Sequence, residues 1–169
     1  MKINILAGLL LFPMLSFAHG PTPQQANESI TINAPVEQVW SAVKQFNDIK
    51  TWHPDVKDST GDDKTRTVIL NNEQVFSEEL DYYSDTEHKY KYRLKQDNIK
   101  ALPISSHSTT LQVSVGDDPN TSLVSFKSRF YRGDTSNSPP ENLNDETAVK
   151  AMTQFFKNGL EGLKKKLDK

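Results

Sequence analysis

The chain contains no cysteine among its 169 residues. That removes disulfide frameworks, thiol nucleophiles and Cys-ligated zinc together. It also lacks an excess of either charge: 20 Lys and Arg stand against 22 Asp and Glu, a net charge of −2. Nucleic-acid binders carry a strong basic excess, so nucleic acid is not an expected partner. Glycine-rich phosphate loops, G-x-S-x-G and H-E-x-x-H are all missing, and no two histidines show the i,i+4 spacing of a helical metal site. Neither a metal nor another cofactor is therefore expected. Beyond the first 18 residues no run is apolar enough to enter a bilayer, and mean hydropathy is −0.65. What is present is ordinary for one packed domain: 25% charged residues and 9% aromatics.

The one apolar run reads as an address. Met1-Lys2 gives a positive start, Ile3–Leu15 is almost wholly apolar, and Ser16-Phe17-Ala18 places small residues where a signal peptidase reads. Residues 1–18 are expected to be a signal peptide cleaved after Ala18. A membrane anchor is the weaker reading, because a span needs about 20 apolar residues and Pro13 interrupts this shorter run. The mature protein would be periplasmic or secreted, with no stable membrane insertion. Residues 19–27 carry two prolines and no apolar run and are expected to be a flexible leader, with the folded domain at 28–169.

Ser29–Asn33 alternates polar and apolar, as a strand with one buried face does. Pro35 suits a first helical position, and Val36, Val39, Trp40, Val43 and Phe46 follow at helical spacing, so 36–46 is expected to be a helix. Ile49 and Trp52 suggest a second short turn before Pro54. From Val56 to Arg132 the pattern is β, with runs at 56–59, 65–70, 74–80, 88–94, 108–115 and 122–132 separated by turn residues. Short turns between successive strands imply an antiparallel meander. A Pro/Ser/Asn loop then leads to Asn144 or Asp145 as cap, and 145–167 is a long amphipathic helix ending in Lys164-Lys165-Lys166. Gly159 and Gly162 interrupt it at about 1 kcal/mol each, which implies close approach to a sheet or space kept free beneath the helix.

The fold class is thus α+β: a curved antiparallel sheet of six to seven strands around a C-terminal helix, with two short helices after the first strand. One apolar sheet face must be covered, and the only long apolar helix is the last. A bent sheet around one helix leaves a gap where a small apolar ligand sits. The residues expected to line it are Trp52, Leu70, Glu79, Tyr90, Tyr92, His107, Leu111, Phe126, Phe130, Met152 and Phe155. Alternation puts His107 on the face of Leu111 and Val113, where an imidazole would orient a ligand or act as a base; the competing reading is a partly exposed histidine at a strand start. His53, before Pro54, reads as a solvent-facing loop residue rather than a lid contact. Glu79 has Arg66 and Arg93 on neighbouring runs. A buried Glu–Arg pair would anchor a polar head group, whereas an exposed cross-strand pair, the favoured reading, would contribute under about 1 kcal/mol.

The segment Ile30-Thr31-Ile32-Asn33-Ala34-Pro35-Val36-Glu37-Gln38-Val39-Trp40, with Phe46 and Trp52-His53-Pro54-Asp55-Val56, resembles the opening of the START-like polyketide cyclase/dehydrase (SRPBCC) superfamily. The resemblance covers residues 28–167 and implies the helix-grip, START/Bet v 1-like fold. Arg66, Glu79-Leu80, Tyr90-Lys91-Tyr92-Arg93, Leu102-Pro103-Ile104 and Gly159-Leu160-Glu161-Gly162-Leu163-Lys164 are similar to an exported branch. That branch includes the periplasmic accessory protein of bacterial methanol oxidation, the MxaD type.

Three functions are open to such a chain. The favoured one is a non-catalytic envelope protein holding a hydrophobic or amphipathic small molecule or lipid between the last helix and the sheet. The resemblance implies a second, an accessory role beside a periplasmic dehydrogenase or its cytochrome. The third is a cyclase or dehydratase using His107 with a carboxylate, for which the sequence names no partner.

Overall fold

The computed structural model describes residues 20–168. The expected signal segment lies outside them. Seven strands, β1 (Gln24–Ile32), β2 (Val56–Gly61), β3 (Thr65–Leu70), β4 (Val75–Ser84), β5 (Lys89–Gln96), β6 (Ile104–Val115) and β7 (Ser122–Arg132), form one antiparallel sheet in the order β1-β7-β6-β5-β4-β3-β2. Two helices, α1 (Val36–Val43) and α2 (Asp145–Leu167), complete the fold, with a 3-10 stretch at Phe46–Thr51. The expected meander is present strand for strand, and only β1 crosses over, to pair with β7.

Several boundaries differ from the sequence expectation: β4 runs on to Ser84 rather than Leu80, β6 begins at Ile104 rather than Ser108, and β2 and β5 each end two residues later. β1 begins at Gln24 rather than Ser29, because Gln24–Asn27 pair with Lys127–Phe130 of β7 through their backbone. Backbone pairing does not require apolar side chains, so a polar edge segment leaves little trace in the hydropathy pattern. The flexible leader expected at 19–27 thus loses its last four residues to the sheet. The first helix stops at Val43, since Gln45 is extended and Phe46 starts the separate 3-10 turn.

Alternation decides what faces α2. Leu111 and Val113 of β6, Val124, Phe126 and Phe130 of β7, and Tyr90 and Tyr92 of β5 are all buried on the concave side. Lys91, Arg93, Lys127 and Arg129 point to the other. The helix covers that concavity with Met152, Phe155, Phe156, Leu160 and Leu163. Each such side chain contributes roughly 1.5–3 kcal/mol on leaving water.

α2 is fixed at both ends. The Asn144 side chain accepts from the Thr147 N–H at 2.9 Å, capping the first turn, and Arg132 of β7 pairs with Asp145. At the other end Lys164 donates to the Thr31 carbonyl, and Asp168 accepts from the Asn33 N–H. Gly159 and Gly162 explain how closely α2 seats. A Cβ on Gly159 would lie 2.7 Å from the His53 ring, and one on Gly162 would strike the Trp52 carbonyl and come within 2.6 Å of Pro54. The close approach is to the Trp52-His53-Pro54 segment rather than to a strand.

Candidate functional site

The concave face has two polar regions of different character. The first is a closed band that crosses five strands. Arg66 of β3 donates from Nε to Glu78 of β4 at 2.6 Å and from a terminal nitrogen to the Phe46 carbonyl at 2.8 Å. Its guanidinium lies 4.2 Å from the Phe46 ring centroid and 4.7 Å from that of Tyr92 of β5. The other Glu78 oxygen is 3.0 Å from His107 Nε2 of β6, off the line of a hydrogen bond. His107 Nδ1 is 2.9 Å from the Thr109 hydroxyl, which is 2.8 Å from the Ser128 hydroxyl of β7. A proton on Nε2 faces the carboxylate, and Nδ1 then accepts from Thr109.

Every member of this band is buried, none more than 5% exposed. Burial alone would push the Glu78 carboxyl up, but Arg66 and His107 together hold it below its ordinary value. Burial also works against the Arg66 charge, and Glu78 together with Tyr92 and Tyr90 more than restores it. Tyr90 and Tyr92 titrate high, mainly because they are buried and secondarily because of Glu78; Tyr90 is pushed up to about 12. A buried pair of this kind holds strands in register while leaving either partner costly to remove.

The second region is open. A cleft of about 350 Å³ lies where α2 leaves the loops β3–β4 and β5–β6. Leu70, Ala101, Leu102, Ala151 and Phe155 give it an apolar floor, and Asp55, Asn71, Asn72 and Gln154 form its rim. Asn98 ties the two loops together by donating to Gln74 Oε1 and the Val75 carbonyl. Phe155 is the wall between cleft and interior, its ring centroid 4.1 Å from that of His53.

His53 is itself 2% exposed. This overturns its reading as a solvent-facing loop residue. Its Nδ1 accepts from the Asp55 N–H at 3.3 Å, so Nε2 carries the proton and donates to the Phe155 carbonyl at 3.0 Å. Burial lowers its pKa to about 4, against the smaller opposing pull of Asp55 and the Phe155 carbonyl. It is a neutral prop beneath the helix.

Of the residues expected from the sequence, only Leu70 and Phe155 line the cleft. Tyr90, Tyr92, His107, Leu111, Phe126, Phe130 and Met152 lie buried in the core, Tyr90 and Tyr92 against Phe46 of the 3-10 stretch. Phe126 stacks on Phe156 at 4.7 Å and on Trp52 at 6.4 Å. His107 does lie on the Leu111 face, as alternation implied, but it is not partly exposed and it has the carboxylate partner that the sequence did not name. That partner is Glu78. Glu79 points to the convex side and pairs with Arg93 at 3.0 Å, the exposed cross-strand arrangement. The pocket assignment of Glu79 is corrected accordingly. β4 carries apolar residues in both parities, Val75 in one and Phe76 and Leu80 in the other, so alternation could not choose between adjacent glutamates. Asp55, Asn71, Asn72, Ala101, Leu102, Ala151 and Gln154 were missed because loop and helix residues meet there only in three dimensions.

The geometry agrees with the comparisons. The family model for polyketide cyclase/dehydrase and lipid transport proteins matches residues 23–168. No curated protein matches by sequence. An uncharacterised protein from Bacillus thuringiensis superposes with a TM-score of 0.74 at 25% identity, over 85% of this chain and 98% of that one. The protein XoxI from Bacillus cereus does so with a TM-score of 0.74 at 26% identity, over 85% and 94%. A START superfamily protein from Mycobacterium smegmatis shares the fold, with a TM-score of 0.64 at 14% identity over 85% and 96%. With a seven-stranded sheet gripping one C-terminal helix and a family match over nearly all of the described residues, this chain belongs to the polyketide cyclase/dehydrase and lipid transport family, on the START-like helix-grip fold.

Proposed function

We propose that the protein is an exported binding protein for a small hydrophobic or amphipathic molecule, taken up at the cleft between α2 and the β3–β4 and β5–β6 loops. The observation that carries this reading is the cleft itself. Its volume of about 350 Å³ falls within the range of small-molecule sites, and its apolar floor ends in a polar rim. The family's link to lipid transport supports the same class of cargo. Export rests on the N-terminal sequence alone. The cleft takes the apolar part of the ligand against Leu70, Leu102 and Phe155. Deeper entry requires Phe155 to leave its contact with His53, so in this conformation the site holds a compact molecule or the end of a longer one.

A neutral fluorescent probe, N-phenyl-1-naphthylamine, tests the site. Saturable one-to-one binding is expected, and Ala151→Trp, which fills the cleft from a half-buried position, should abolish it. Binding that survives Ala151→Trp, or no saturable binding at all, would contradict the reading.

A second reading, acid–base chemistry at His107, has one observation in its favour: Glu78 lies 3.0 Å from Nε2. Both groups are buried and neither lines the cleft, so the binding reading takes precedence.

A further inference from the structure

The rim of the cleft is built from side chains whose orientations are dictated by acceptor-only neighbours. Asp55 Oδ2 lies 2.7 Å from the Asn158 amide, and a carboxylate can only accept, so Asn158 presents its nitrogen there. The Asn158 oxygen is thereby turned toward Gln154, whose nitrogen donates to it at 2.7 Å. Asn71 is held in the same manner, its side-chain nitrogen donating to the Pro54 carbonyl at 2.8 Å. Asn71 and Gln154 each give one amide N–H to the protein, and the oxygens of both are left over. Among the described residues no donor reaches Asp55 Oδ1, Asn71 Oδ1 or Gln154 Oε1. Asn72 is the exception: its oxygen accepts from the Gln74 N–H, which leaves a neutral N–H₂ at the rim. The rim therefore offers three unfilled acceptors, one of them on a carboxylate, and its only donors are neutral amide N–H groups. None of the nine lining residues is Lys, Arg or His.

From this we infer that the cleft selects an amphiphile with a cationic, hydrogen-donating head, an aliphatic ammonium, and discriminates against carboxylate or phosphate heads. An ammonium has three N–H donors for the open oxygens, and its charge is opposite to that of Asp55, the one charged lining residue. A carboxylate head would meet Asp55 with no cation among the lining residues to offset it. The inference rests on the cleft being the binding site and adds the class of ligand it takes.

Displacement of N-phenyl-1-naphthylamine by three eight-carbon competitors of equal chain length separates the two claims. The competitors are octylammonium, octan-1-ol and octanoate, each below its aggregation threshold at pH 7.5 and low salt. Octylammonium is expected to compete at roughly tenfold lower concentration than octanoate or better, with octan-1-ol between them. Asp55→Asn, whose oxygen can still accept from Asn158, should shrink the ammonium-to-carboxylate ratio severalfold. If the probe binds but octanoate competes as well as octylammonium, the charge selectivity is wrong and the binding site stands. If the ratio on the wild type is as expected but Asp55→Asn leaves it unchanged, Asp55 is not the selecting group and the inference falls. If the probe does not bind the wild-type chain, both claims fall together.

Discussion

The two faces of β4 carry the same residue to opposite ends. Glu78 and Glu79 are adjacent, and each has an arginine across the ladder. Glu78 turns into the concavity, where Arg66, His107 and two aromatic rings enclose it. Glu79 turns outward, where Arg93 is shared with Asp81 and water reaches all three. One pair is sealed and coupled to a polar chain across five strands, and the other is a solvated surface contact. An ion pair's consequence for the fold is set by what surrounds it, not by its partners alone.

The largest expected effect comes from opening the sealed pair. Glu78→Ala leaves Arg66 charged and buried without its partner, and should cost about 3–5 kcal/mol in urea denaturation. Replacing Arg66 and Glu78 together by Met and Leu should recover most of that loss. A double variant as unstable as the single one would contradict the account.

Acid should act next. The folded His53 pKa of about 4 lies below its ordinary value of 6.5. Above pH 6.5 the imidazole is neutral in both states and contributes no pH dependence. As pH falls from 6.5 to 4 the unfolded chain takes up a proton that the folded chain refuses. Stability should therefore drop by about 1.4 kcal/mol per pH unit, reaching ~3 kcal/mol. Glu78, also held below its ordinary value, adds a loss in the same direction as pH falls through its folded titration. Urea midpoints between pH 7.5 and 4 check this, and His53→Gln should flatten the upper part of the slope.

Gly162→Ala sets helix propensity against packing. Propensity alone would stabilise by about 1 kcal/mol. The new methyl group strikes the Trp52 carbonyl, so net destabilisation of about 1–3 kcal/mol is expected in thermal melts. The smallest effect closes the comparison: Glu79→Ala on the convex face should cost under about 1 kcal/mol, less still in high salt. A cost equal to that of Glu78→Ala would erase the distinction between the faces.

Much of the scaffold was legible because its signals are periodic. Val149, Met152, Phe156, Leu160 and Leu163 fix α2 by helical spacing, and its bounds are those expected. Alternation placed His107, Leu111, Phe126 and Phe130 on the concave side of β6 and β7. It failed where a pattern was absent or double: at Gln24–Asn27, polar but paired through the backbone, and at β4, where both parities hold apolar residues. His53 was misplaced because its burial depends on Gly159, 106 positions away in the chain. The cleft was hardest to foresee. Its wall Phe155 and floor Leu70 follow from the core pattern, but the rim residues Asp55, Asn71 and Gln154 are polar residues on two loops and a helix that only the closed fold brings together.

The functional account stands or falls on where a small apolar molecule docks. Titrating the isotope-labelled protein with N-phenyl-1-naphthylamine and following backbone amide shifts by NMR addresses this directly. Saturating shifts are predicted to concentrate at Asn71, Asn72, Ala101, Leu102, Ala151 and Phe155. Shifts centred instead on His107, Leu111 and Phe130, or scattered without saturation, would contradict the assignment of the cleft.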